Sequence, residues 1–133
     1  MYSLYLHIPF CRQACHYCDF HFSTTLKRKS EMVAALCKEL IMRKEEAIGS
    51  KLQTIYLGGG TPSILTYDEL KQLFDTIYSY YKVSPRAEIT IECNPDDFFR
   101  LHTPEQLLQE LASLGINRLS LGVQSFFEED LRL

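Results

Sequence analysis

The sequence has no tryptophan, only 6 glycines and 5 prolines in 133 residues, and no excess of positive charge. Each scarcity excludes a class. Glycine and proline this sparse rule out collagen-like and low-complexity chains. With 46% apolar and 23% charged residues, the composition is that of a globular protein rather than a disordered one. A net charge of −3 argues against a nucleic-acid partner, which calls for a basic surface. No apolar run approaches the ~18 residues expected of a transmembrane segment. Met1 leads directly into the apolar run Tyr2–Ile8, with no basic start and no small-residue cleavage site, so the chain reads as one without an export signal, and as cytoplasmic.

Cysteine is present in an odd number, 5, which fits a disulfide framework poorly. Three of them, Cys11, Cys15 and Cys18, crowd into a C-x3-C-x2-C loop, a pattern that in a reducing compartment points to metal or redox chemistry. Cys37 and Cys93 stand apart and read as small buried residues.

Short β-like runs alternate with amphipathic segments. Ser3–Ile8 is a strand ending at Pro9. After the cysteine loop and a basic stretch, Lys27 to Lys29, which reads as solvated, Val33, Leu36, Cys37, Leu40, Ile41 and Ile48 recur at helical spacing. Ser30 is the expected N-cap of that helix and Gly49 its stop. Thr54–Leu57 is a second strand and Gly58 to Pro62 a glycine turn. Thr66 and Glu69 form a capping box for a helix with Leu70, Leu73, Phe74, Ile77 and Tyr81 on its apolar face. Pro85 breaks the pattern, and Glu88–Glu92 is the third strand. Thr103, Pro104 and Gln106 open a helix carrying Leu107, Leu108, Leu111 and Leu114, which stops at Gly115. Arg118–Leu121 is a fourth strand, and Ser125 with Glu128 would cap a helix over Phe126–Leu133. Strands alternating with helices predict an α/β fold on a parallel sheet.

The chemically loaded residues follow strands, not helices. The cysteine loop comes after the first strand, Gly58 to Pro62 after the second, Glu92-Cys93-Asn94-Pro95 at the end of the third, and Gly122 to Ser125 after the fourth. In a parallel sheet or βα barrel these positions share the face where such folds bind ligands. Three thiolates this close can hold one metal centre. Structural zinc would need a fourth ligand, such as His7, His16 or His21. A [4Fe–4S] cube can be held by three, leaving one iron open.

The run from Tyr5 to Phe20, with Tyr17 just before the last cysteine of the loop, resembles the radical S-adenosylmethionine (SAM) superfamily. Five motifs in order, Y-x-H-I-P-F-C, C-x-Y-C-D-F, G-G-G-T-P, I-E-x-N-P and R-L-S-x-G-V-Q-S-F, resemble the oxygen-independent coproporphyrinogen III oxidase-like family from about Tyr2 to the last residue. The resemblance implies that Cys11, Cys15 and Cys18 hold a [4Fe–4S] cluster whose open iron binds SAM, and that the reduced cluster cleaves SAM to generate a 5′-deoxyadenosyl radical. It implies that Tyr5, Tyr17, Gly59, Gly60, Thr61, Glu92 and Gln124 lie at the SAM site. Phe20 stands where the decarboxylating oxidases of the family carry a further cysteine, which resembles the HemW branch, whose members bind haem and pass it to other proteins.

The resemblance therefore implies a haem chaperone of the HemW type, with an electron donor, haem or a porphyrinogen, and haem-accepting proteins as partners. The alternatives are a true oxidase converting coproporphyrinogen III to protoporphyrinogen IX, a non-catalytic haem carrier, and a zinc-stabilised module. The expected fold is a partial TIM-barrel-like radical SAM core. About three and a half βα units are present, against on the order of 200 residues for a full barrel. Residues 1–133 thus read as the N-terminal part of a longer core domain, with the rest of the barrel and a C-terminal domain to follow.

Overall fold

The computed structural model describes residues 1–10, 28–100, 103–123 and 125–131. The elements run β1 (Tyr2–Ile8), α1 (Lys29–Met42), β2 (Lys51–Gly59), α2 (Tyr67–Tyr80), β3 (Lys82–Cys93), α3 (Asp97–Arg100), α4 (Pro104–Ser113), β4 (Arg118–Leu121) and α5 (Glu128–Leu131). Short 3-10 turns at Lys44–Ala47 and Pro62–Ile64 precede and follow β2.

The described strands form one sheet in the order β1-β2-β3-β4, every pair parallel. A doubly wound sheet reverses its strand order part-way and takes helices on both faces. No reversal occurs here, and order without reversal is that of a βα barrel, with helices outside and the second sheet face turned inward. The α/β reading and the partial barrel core hold.

The alternation of the strands explains which face the helices cover. Leu6 and Ile8, Ile55 and Leu57, and Ile89 and Ile91 point to one side and join a core with Val33 and Leu40 of α1, Leu73, Phe74 and Ile77 of α2, and Leu111 of α4. Each such side chain contributes about 1.5–3 kcal/mol by leaving water. Cys37, on the same face of α1, is a buried free thiol, as its spacing predicts.

Both predicted capping boxes form. The Glu69 and Gln106 amides donate to the Thr66 and Thr103 hydroxyls, and the Glu69 and Gln106 side chains accept from the Thr66 and Thr103 amides, all at 2.9–3.2 Å.

Elsewhere the boundaries move. The helix expected to run from Ser30 to Gly49 stops at Met42 and has no side-chain N-cap. Its apolar face has run out there, since Met42 and Ile48 are largely exposed, and Arg43 bridges Glu39 and Glu46 to hold a 3-10 turn instead. The strand expected at Glu88 begins at Lys82 and passes through Pro85. Leu52 pairs with Val83 but Thr54 with Glu88, so Pro85 sits in a bulge where the ladder asks nothing of its missing N–H. Ser125 bonds to the Phe127 amide and the Asp130 carboxylate ahead of a helix of only four residues.

Lys29 is no solvated loop residue. It opens α1, donates to the Ile64 carbonyl at 3.1 Å and pairs with Glu69 at 3.1 Å, tying α1 to the start of α2. No described helix is long and apolar enough to cross a membrane.

Candidate functional site

Because the strands are parallel, their carboxyl ends meet at one rim. Period-two alternation places Tyr5 and His7 of β1, Tyr56 and Gly58 of β2, Thr90 and Glu92 of β3, and Arg118 and Ser120 of β4 on the face away from the helices. Tyr5, Tyr56, Thr90 and Arg118 lie side by side in register, with His7, Gly58 and Glu92 one step nearer the rim.

Glu92 is the centre of this arrangement. The Tyr56 hydroxyl donates to its Oε1 at 2.7 Å, and the Gly59 amide donates to its Oε2 at 3.2 Å. The Tyr5 ring stacks on Tyr56 with centroids 5.9 Å apart, and its hydroxyl meets His7 Nδ1 at 3.1 Å. Burial, then the nearby Glu92 charge, pushes the Tyr5 phenol above its ordinary pKa. Burial and the hydrogen bond to Glu92 do the same to Tyr56, against a smaller opposing effect of Ser120 and Arg118. Both hydroxyls therefore keep their protons through the neutral range.

The glycines are required by close approach. A Cβ on Gly58 would lie 2.7 Å from the Tyr56 ring and 3.2 Å from Glu92 Oε1. Gly59 has φ +110°, and a Cβ there would meet the His7 imidazole at 2.8 Å. Beyond them the Gly60 amide donates to the Ile8 carbonyl at 2.7 Å and the Thr61 amide to the Phe10 carbonyl at 2.6 Å. Phe10, 5% exposed, directly precedes Cys11 in the sequence, so the glycine turn holds the residue from which the cysteine loop departs.

A second set of bonds joins this turn to the end of β3. Asn94 Nδ2 donates to the Thr61 hydroxyl at 3.4 Å, and the buried Asp97 carboxylate accepts from the Ser63 hydroxyl and, at 2.8 Å, from the Asn94 amide. Burial first, then the Asp97 charge, pushes the Cys93 thiol up to about 12, so it stays protonated and poorly suited to bind metal.

Of the residues singled out in the sequence, Tyr5, Gly59, Gly60, Thr61 and Glu92 come together at this rim. Cys11, Cys15, Cys18, Tyr17 and Gln124 lie outside the described residues, as do Phe20, His16 and His21. Sequence reasoning missed Tyr56, whose signal was its position two residues before Gly58 on the same strand face. It also missed Ser63 and Asp97; Asp97, three residues after Asn94, is placed to accept from that residue's amide.

The rim fits a nucleoside with an amino-acid tail. It offers a carboxylate acceptor for hydroxyl or ammonium donors, a cradle that a Cβ would fill, and a half-exposed aromatic ring. The Radical SAM superfamily pattern matches residues 5–133. The chain belongs to the radical SAM superfamily. Radical SAM proteins carry a [4Fe–4S] cluster and SAM.

The chain is 40% identical to the haem chaperone HemW of Synechocystis sp., over 98% of this chain and 32% of that protein. It is 39% identical to the oxygen-independent coproporphyrinogen III oxidase of Bradyrhizobium diazoefficiens, over 93% of this chain and 27% of that one. The solved structure of coproporphyrinogen III oxidase (HemN) from Escherichia coli, a radical SAM enzyme, superposes with a TM-score of 0.85 at 33% identity, covering 98% of this chain and 29% of that chain. The chain thus spans about a third of the length of the curated relatives it matches.

Proposed function

We propose that residues 1–133 form the cluster- and SAM-binding front of a haem chaperone of the HemW type, acting in the cytoplasm on haem and on haem-accepting proteins. The observation that carries the SAM part is Glu92, fixed by Tyr56 and the Gly59 amide at the rim beside the entry to the cysteine loop. Cys11, Cys15 and Cys18 would hold the cluster, with Tyr17 and Gln124 completing the pocket. When bound, the cluster supplies the electron that cleaves SAM.

The chain's own residues do the rest. Glu92 orients the ligand, Gly58 and Gly59 let backbone and carboxylate approach it, and Tyr5 covers it on the side of β1. Phe20, in place of a further cysteine, supports the chaperone over the decarboxylase. Similarity to named oxidases keeps the decarboxylase as the second reading.

The test is anaerobic reconstitution of the full-length protein with iron and sulfide. The expected product is brown, binds SAM and holds haem stably, and forms no protoporphyrinogen from coproporphyrinogen III. Replacing Cys15→Ala is expected to abolish the cluster absorption. A colourless protein with one tightly held zinc would overturn the reading, and decarboxylation of coproporphyrinogen III would replace it with the oxidase.

A further inference from the structure

We propose that Tyr56 is a positioning residue of the SAM site: its hydroxyl fixes the carboxylate of Glu92 in the one orientation that meets the ligand. The inference rests on the SAM reading above and deepens it. A glutamate at a strand end has freely turning side-chain bonds and would sample several directions. Here both oxygens are engaged, Oε1 by the Tyr56 hydroxyl at 2.7 Å and Oε2 by the Gly59 amide at 3.2 Å. Each carboxylate oxygen accepts two hydrogen bonds, so each keeps one lone pair for a ribose hydroxyl or an ammonium group. The carboxylate is thus pre-set without being consumed.

Tyr56 can hold Glu92 because it is itself held. Its ring is flanked by Tyr5 on β1, stacked at 22° between planes, and its register partner on β3 is the buried Thr90. Gly58 leaves the ring the space that any Cβ would take, 2.7 Å away. The bond crosses from β2 to β3, so the phenol also sets the glycine turn and the carboxylate in one frame. Its raised pKa keeps it a donor at neutral pH.

The substitution Tyr56→Phe keeps the ring and its stacking and removes the hydroxyl that donates to Glu92 and meets the Ser120 side chain. In the full-length protein with its cluster reconstituted, SAM affinity by calorimetry is expected to fall about fivefold to tenfold. Cluster absorption stays at its wild-type value, and the thermal unfolding midpoint falls by only a few degrees. In a Glu92→Ala background the same substitution is expected to change affinity less than about twofold, because Tyr56 acts through Glu92. A Tyr56→Phe protein that binds SAM as tightly as wild type overturns the proposal while leaving the SAM reading intact. So does an equal loss in the Glu92→Ala background, which would mean that Tyr56 meets the ligand directly or acts by packing. Wild-type protein with an intact cluster and no SAM affinity overturns both.

Discussion

The two faces of the same four-stranded sheet could hardly be more different. On one, Leu6, Ile8, Ile55, Leu57, Ile89 and Ile91 are at most 4% exposed and pack against helices. On the other, the intervening residues of the same strands are Tyr5, His7, Tyr56, Thr90 and Glu92, joined by hydrogen bonds and a ring stack. The period of two lets one backbone serve both faces, with the apolar packing on one and a hydrogen-bonded polar cluster on the other. Because the faces share backbone but few side-chain contacts, changes on one should be nearly independent of the other.

The largest expected effect lies on the apolar face. Phe74 of α2 is 1% exposed, and Phe74→Ala should cost about 3–5 kcal/mol of stability, read as a fall in the denaturant midpoint. SAM affinity measured well below the transition should be unchanged; a parallel loss of affinity would break the separation.

Gly58→Ala is the sharper probe because it acts within the polar cluster itself. The added methyl presses on the Tyr56 ring and Glu92, so about 1–3 kcal/mol of stability should be lost. Affinity should fall by more than for Tyr56→Phe. Unchanged affinity would show that the rim tolerates movement the geometry forbids.

The smallest effect at neutral pH concerns Cys93, at the rim end of β3 but on the apolar face. An unfolded thiol ionises near ~8.5, whereas the folded one does so at about 12. Between these values the unfolded state carries fewer protons, so stability should decline as pH rises through that window. Cys93→Ala should flatten that part of the stability–pH curve relative to wild type. An identical slope would mean that the Cys93 thiol is less shielded than its burial implies.

What was legible in the sequence was what is decided locally. The capping boxes at Thr66 and Thr103 need only residues three apart, and both formed as read. Glu92 and the glycine turn announced themselves by following strands. What stayed hidden depends on partners distant in the chain. Pro85 looks like a breaker until the β2–β3 bulge gives it a place, and Lys29 looks solvated until Glu69 and Ile64 arrive beside it. Tyr56 reads as one more aromatic in an apolar run until β3 brings Glu92 within reach. Asp97 was hidden because Ser63 lies on the far side of α2 in sequence.

The bond from the Thr61 amide to the Phe10 carbonyl carries a consequence for the order of assembly. It continues the β1–β2 ladder, a pairing of segments separated by the whole of α1, and parallel pairings of this kind form late because a long loop must close first. The approach to the three cysteines is therefore not set until that loop has closed. On the proposed function, cluster loading would be a late event in the life of the chain, following strand pairing rather than nucleating it.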